Sequence, residues 1–175
     1  ICYLNQIKTH EKKGEKNMAN NFIIIENSTF IFDTNLSGDP KRDRFNSDQR
    51  KANLVIPDEE QAQRLLDDGF NVKITKPREG EEEGFVPRYY VSVKLNYESN
   101  WPPKVYLVRD GDDGVLLDAD SICSIDDMWI ERVNAVLNTY EGPRGKSLYV
   151  KSMELFPKYD EDPISSKYTR RRNEE

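Results

Sequence analysis

The stretch Arg88-Tyr89-Tyr90-Val91-Ser92-Val93-Lys94-Leu95-Asn96-Tyr97 alternates with the period of a β-strand. Val91, Val93 and Leu95 fall on one side, and Arg88, Tyr90, Ser92, Lys94 and Asn96 on the other. One side is suited to a core; the other is cationic and aromatic. Two later segments repeat the division. Between Trp129 and Tyr140, Val133, Ala135 and Leu137 oppose Arg132, Asn134, Asn138 and Tyr140. Between Ser147 and Phe156, Leu148 and Val150 oppose Tyr149, Lys151 and Met153.

The rest of the chain supplies short elements around these strands. Phe22 to Phe32 is β-rich with a bend at Asn27-Ser28, and Ala52 to Ile56 reads as a strand. Pro57-Asp58-Glu59-Glu60 opens a short helix with acids at its positive end, and Ala62, Leu65 and Leu66 form its apolar stripe before Gly69. Phe70 to Lys76 alternates again, a Glu-Gly-rich loop runs from Pro77 to Gly84, and Lys104 to Arg109 pairs with Val115 to Leu117 as a hairpin. Asp118 to Asp127 holds a helical turn, and Glu141 to Gly145 turns the chain between the last two strands. Many short strands, one helix and no βαβ rhythm predict a mainly β fold: an OB-fold-like small antiparallel β-barrel with one short helix and extra hairpins, with a β-sandwich as the alternative.

Composition bounds the chemistry. The 175 residues suffice for one domain, and no apolar run approaches the length that spans a bilayer. Cys2 and Cys123 are the only cysteines and His10 the only histidine, which excludes ordinary thiolate or imidazole metal cages and any mechanism needing a histidine base. No catalytic residue, metal ligand or cofactor is assigned. The formal charge of -6 argues at first against a polyanionic partner, but the acids concentrate in 58–68, 79–83, 110–120 and 160–162, away from the strand faces named above.

Residues 1–17 are expected to be a non-native or disordered leader before Met18. A-rich back-translation of Lys12 to Asn17 contains a purine-rich element like a bacterial ribosome-binding site, which points to a bacterial or phage gene. Residues 18–156 are then the domain and 157–175 a disordered charged tail.

A sheet face that mixes rings with ammonium and guanidinium groups suits a flexible polyanion whose bases stack, which is single-stranded nucleic acid. Tyr90, Tyr140 and Tyr149 are the candidate stacking platforms, and Arg88, Lys94, Arg132 and Lys151 the phosphate contacts beside them. Lys73, Arg144 and Lys146 add cations from the neighbouring strand and turn, and the loop Asp39 to Lys51 contributes Arg42, Arg44, Phe45, Arg50 and Lys51 as a flap. Asp110, Asp112 and Asp113 lack the glutamate of a calcium loop and read as a turn, and Asp118, Asp120, Asp126 and Asp127 show no nuclease spacing.

The succession Phe45-Asn46, Asn53-Leu54-Val55-Ile56-Pro57, Leu65 to Lys73, Pro102 to Val108 and Gly145 to Met153 resembles phage-encoded single-stranded-DNA-binding proteins of the OB-fold type, over nearly all of 22–156. The resemblance implies non-enzymatic, sequence-tolerant coating of single-stranded DNA in the cytoplasm of a bacterial host during replication or recombination, with phage or host replication and recombination proteins as partners and no membrane. The tail departs from the acidic tails common among such proteins: Asp160-Glu161-Asp162 is followed by Lys167 and Arg170-Arg171-Arg172. The alternative reading is a phage protein-protein interaction module, either a virion component or an inhibitor of a host defence enzyme.

Overall fold

A computed structural model describes residues 22–109 and 113–158. The strands are β1 (Phe22–Ser28), β2 (Arg50–Ile56), β3 (Lys73–Ile74), β4 (Tyr89–Leu95), β5 (Lys104–Leu107), β6 (Val115–Leu117), β7 (Ile130–Gly142) and β8 (Gly145–Pro157), with helix α1 (Glu59–Asp67) and 3-10 helices at Pro40–Arg42 and Ser121–Asp127. The architecture is mainly β, as the many short strands implied, but its strands form one sheet that does not close into the expected antiparallel barrel. The leader 1–17, the tail from 159 onward and the tip of the β5–β6 hairpin lie outside the described residues.

All eight strands share one sheet whose main path runs β1-β7-β8-β4-β2, with β3 on β4 and the β5–β6 pair on β8. Two ladders depart from the antiparallel expectation: β8 runs parallel to β4 through Val93↔Leu148 and Lys94↔Tyr149, and parallel to β5 from Lys104↔Ser152 to Leu107↔Leu155. One edge of β8 therefore serves two partners in succession. The strand changes partner at an irregularity. Its pairing with β7 steps from Leu137↔Val150 to Val136↔Ser152, leaving Lys151 as an extra residue.

That bulge reverses the alternation and corrects one assignment. Leu148 and Val150 are buried before it, and Met153 and Leu155 after it, so Met153 is a core residue, 1% exposed, and does not share the outer face with Tyr149 and Lys151. A strict period of two fails wherever one strand carries an unpaired residue.

The path does not close as a continuous ladder, but the segment after β1 is stitched to β2. Val55 N–H donates to Thr29 O at 3.0 Å, Ile31 N–H donates to Asn53 O at 3.0 Å, and Asn35 and Lys51 exchange backbone bonds. The buried Ser28 hydroxyl adds a bond to Val55 O. The interior of this curled sheet is filled by Ile25, Leu54, Val93, Val105, Val133, Leu137, Leu148 and Leu155. Asp126 accepts from Leu36 N–H at 2.7 Å and Ser37 N–H at 3.0 Å, drawing the loop after β1 onto the 3-10 helix Ser121–Asp127, whose Ile122 and Ile125 complete the core.

Helix α1 starts where Asp58 accepts from Glu60 N–H at 3.0 Å. It ends with Gly69 at φ 88, where Gly69 N–H reaches Leu66 O and Phe70 N–H reaches Leu65 O, both at 3.0 Å. This double bond pattern with a left-handed glycine turns the chain so that Phe70 joins Leu65 in the buried core. The expected strand from Phe70 to Lys76 thereby shrinks to Lys73–Ile74, because Phe70 belongs to the helix stop.

Candidate nucleic-acid interface

Directly paired residues on neighbouring strands point to the same side of a sheet. The registers Phe22↔Asn138, Asn138↔Tyr149, Tyr149↔Lys94 and Lys94↔Lys51 thus define one row across β1, β7, β8, β4 and β2. Four inter-strand steps of about 4.8 Å make this track about 19 Å across. None of its members is buried, while their chain neighbours Leu137, Leu148, Val93 and Ala52 are. The row is the outer face.

Its side chains are in contact. The Lys94 ammonium lies 5.9 Å from the centroid of Tyr149, and Tyr149 meets Tyr140 edge to face at 6.1 Å. At the β1 end Lys151, released from the core alternation by the bulge, sits 3.9 Å from the centroid of Phe22. Cations lying over rings hold both groups at the surface with low conformational freedom, which suits a face on which bases stack between phosphate contacts.

Beside this row, between β4 and the turn of the β7–β8 hairpin, lies a cleft of about 270 Å³. Lys73, Lys94, Arg144 and Lys146 line it together with Tyr90, and Asn53, Asn71, Ser92 and Ser147 supply uncharged donors and acceptors. Among the described residues no carboxylate lines it. Lys146 is oriented by Phe70, 5.3 Å away, and by the carbonyl of Asp68. Two-residue turning at Pro143-Arg144, closed by the Gly142↔Gly145 pair, brings Arg144 over the same opening.

The remaining candidates lie elsewhere. Arg50, placed in the flap by sequence, is a structural residue: its guanidinium donates to Leu36 O at 2.8 Å and Ala119 O at 2.9 Å and covers Tyr97 at 5.1 Å. Burial pushes the Tyr97 hydroxyl up to about 12. Arg42 is ion-paired with Asp127 at 2.6 Å, and that bond raises its pKa further. Arg132 stacks on Phe156 at 3.9 Å, six residues along β7 from Asn138 and so about 20 Å from the row. Arg88 precedes β4 and lines a separate hollow with Val86 and Tyr89. Arg44 and Phe45 stay on the exposed loop, 5.8 Å apart, with Phe45 79% exposed.

That loop is nevertheless tied to the row. Lys51 forms an ion pair with the buried carboxylate of Asp43, which also accepts from Phe45 N–H at 2.8 Å and Ser47 N–H at 3.0 Å. These bonds, the Lys51 contact foremost, hold Asp43 at about 2, below the ordinary carboxylate range. Lys51 is thus largely neutralised, and the loop is fixed at the β2 end of the track.

Three members of this surface were not singled out from the sequence. Phe22 and Asn138 join the row only through register, and Phe32 lies edge to face on Tyr90 at 5.2 Å. Only Asn138 had a visible signal, its place on the outer side of β7. Another concavity, about 410 Å³, has a different character: Ile24, Val136 and Tyr106 line it together with Glu26, Asp113 and Glu154, with no lysine or arginine among its described lining residues. Among the described residues no group of acids, cysteines and histidines is arranged to hold a metal ion, and no helix is long and apolar enough to cross a membrane.

The fold and its outer face define a mainly β protein whose single sheet carries a row of aromatic and cationic residues. Residues 12–171 match the family described as "Putative phage ssDNA-binding domain", and the chain belongs to that family. Among solved structures, the single-stranded DNA-binding protein from bacteriophage Enc34, a C-terminal truncation, aligns at a TM-score of 0.44 and 13% identity over 79% of this chain and 87% of that one. No curated protein sequence matches the chain.

Proposed function

We propose that this phage-family protein binds single-stranded DNA across the outer face of β1-β7-β8-β4-β2, without catalysing a reaction on it. The observation that carries the reading is the row Phe22, Asn138, Tyr149, Lys94 and Lys51, which sets two rings, an amide and the Lys94 cation side by side across five hydrogen-bonded strands, with Lys51 held by Asp43 at its β2 end. Bases stack on Tyr149, Phe22 and Tyr90, while Lys94, Lys151, Lys73, Arg144 and Lys146 neutralise phosphates. Stacking is tolerant of base identity, so affinity is broad, and counterion release makes it fall with salt. The role is coating of single strands in phage replication or recombination, in the cytoplasm of the bacterial host, beside phage or host replication and recombination proteins.

Titration of a fluorescent dT oligonucleotide at several salt concentrations tests the reading. Binding that weakens log-linearly with salt is expected; no binding at low salt rejects it. One observation favours a second role. The concavity lined by Glu26, Glu154 and Ile24, acidic and partly apolar, repels DNA and suits a protein contact. Retention of a protein partner by nuclease-treated chain, lost on Glu154→Lys, supports that additional role.

A further inference from the structure

We infer that Phe32 is a base-stacking residue, held in a strained backbone conformation so that its ring extends the DNA track beyond Tyr90. The inference rests on the single-strand-binding reading and adds a residue to it.

Phe32 has φ 60, a left-handed conformation that a bulky L-residue avoids because Cβ crowds the neighbouring carbonyl. The residue is 62% exposed, so the fold gains little burial from it. Neither feature helps folding. The backbone on both sides is fixed: Ile31 is buried and donates its N–H to Asn53 O, and Asn35 exchanges bonds with Lys51. The surrounding structure therefore imposes the conformation on Phe32, and outliers imposed in this way cluster at functional sites.

The ring's position supplies the purpose. It stands edge to face with Tyr90 at 5.2 Å, and Tyr90 lines the cleft that holds Lys73, Lys94, Arg144 and Lys146. Tyr90 is in turn opposite Val55 of β2 and Lys73 of β3. A single strand crossing from Tyr149 over Lys94 to Tyr90 meets, in Phe32, an open aromatic surface at the far side of the cations. A base of single-stranded DNA is the ligand that uses a bare ring next to phosphate-binding groups.

Asparagine tolerates the left-handed region, so Phe32→Asn removes the ring and relieves the backbone together. The full chain carrying Phe32→Asn is expected to melt at or above the wild-type temperature, yet to bind a dT oligonucleotide ~5- to 150-fold more weakly, the range for one lost base stack. The salt slope stays that of the wild type, because no phosphate contact is lost, and Phe32→Trp retains affinity. Unchanged affinity in Phe32→Asn, alongside weakened binding by Lys94→Ala, overturns the inference and leaves the binding reading standing. A marked fall in melting temperature with Phe32→Asn assigns the ring to the fold and overturns it as well. Failure of the wild-type chain to bind at low salt overturns both.

Discussion

Lys94 and Tyr149 are direct partners in a two-rung parallel ladder between β4 and β8, with the ammonium 5.9 Å from the ring centroid. This pairing joins the β4 half of the outer face to the β7–β8 half. Through it Tyr149 and Lys94 lie side by side on one continuous outer face.

Removing the rings tests the stacking contribution. Tyr149→Ala and Tyr90→Ala are each expected to weaken dT oligonucleotide binding by about 1–3 kcal/mol, the size of a base–aromatic stack. Fluorescence anisotropy measures the loss, and circular dichroism melts verify that folding is retained. Affinities within error of wild type for both variants place the DNA elsewhere.

The cations act differently and leave a different signature. Lys94→Ala and Arg144→Ala are each expected to reduce the log-log salt slope by about 0.7, the increment for one phosphate contact to a single strand. Arg132→Ala, away from the row, leaves the slope unchanged. Titrations at four or more salt concentrations resolve the difference.

Arg50 separates structure from binding within the basic loop region. Its guanidinium ties Leu36 O to Ala119 O, so Arg50→Ala is expected to lower stability by about 2–3 kcal/mol through the loss of charged hydrogen bonds to half-buried carbonyls. Urea denaturation reads that loss. DNA affinity of the folded variant should stay at the wild-type level, and a drop comparable to that of Lys94→Ala contradicts the assignment.

Asp43 makes stability depend on acid. Its folded pKa of about 2 lies below the ordinary value of 3.8, so the unfolded chain binds more protons between these limits. The contribution is fully present above about pH 4 and is lost as pH falls through about 2. Denaturation midpoints measured from pH 5 to pH 2 should fall in wild type, and Asp43→Asn should flatten that part of the curve. An equal slope in both locates the acid sensitivity elsewhere.

Met153 reports on the bulge. Met153→Ala is expected to cost about 2–5 kcal/mol, as for a methionine emptied from a core, while Lys151→Ala is nearly neutral for stability. Equal costs would mean that the alternation along β8 runs unbroken through Lys151.

The strand Tyr89–Leu95 was legible because Val91, Val93 and Leu95 alternate without interruption, and α1 was legible because Asp58, the Leu65 stripe and Gly69 are local signals. The outer side of β7 was readable on the same grounds. Met153 was misplaced because a bulge has no signature in a polar-apolar string. Arg50 and Lys51 were indistinguishable from free cations, since their partners Leu36 O, Ala119 O and Asp43 are brought to them by loops. Phe32 gave no sign of its left-handed backbone, which is imposed by bonds to β2.

By itself the sequence determined that Tyr89–Leu95 and the Ile130–Gly142 segment are strands and which side of each is apolar, because alternation is set by the geometry of a single extended chain. It also limited the thiolate and imidazole groups of these 175 residues to Cys2, Cys123 and His10, too few for an ordinary thiolate or imidazole metal cage. The tertiary structure decided which polar sides adjoin. Pairing and register are contacts between distant segments, and only they set Lys94 beside Tyr149, Phe22 beside Asn138 and Phe32 over Tyr90.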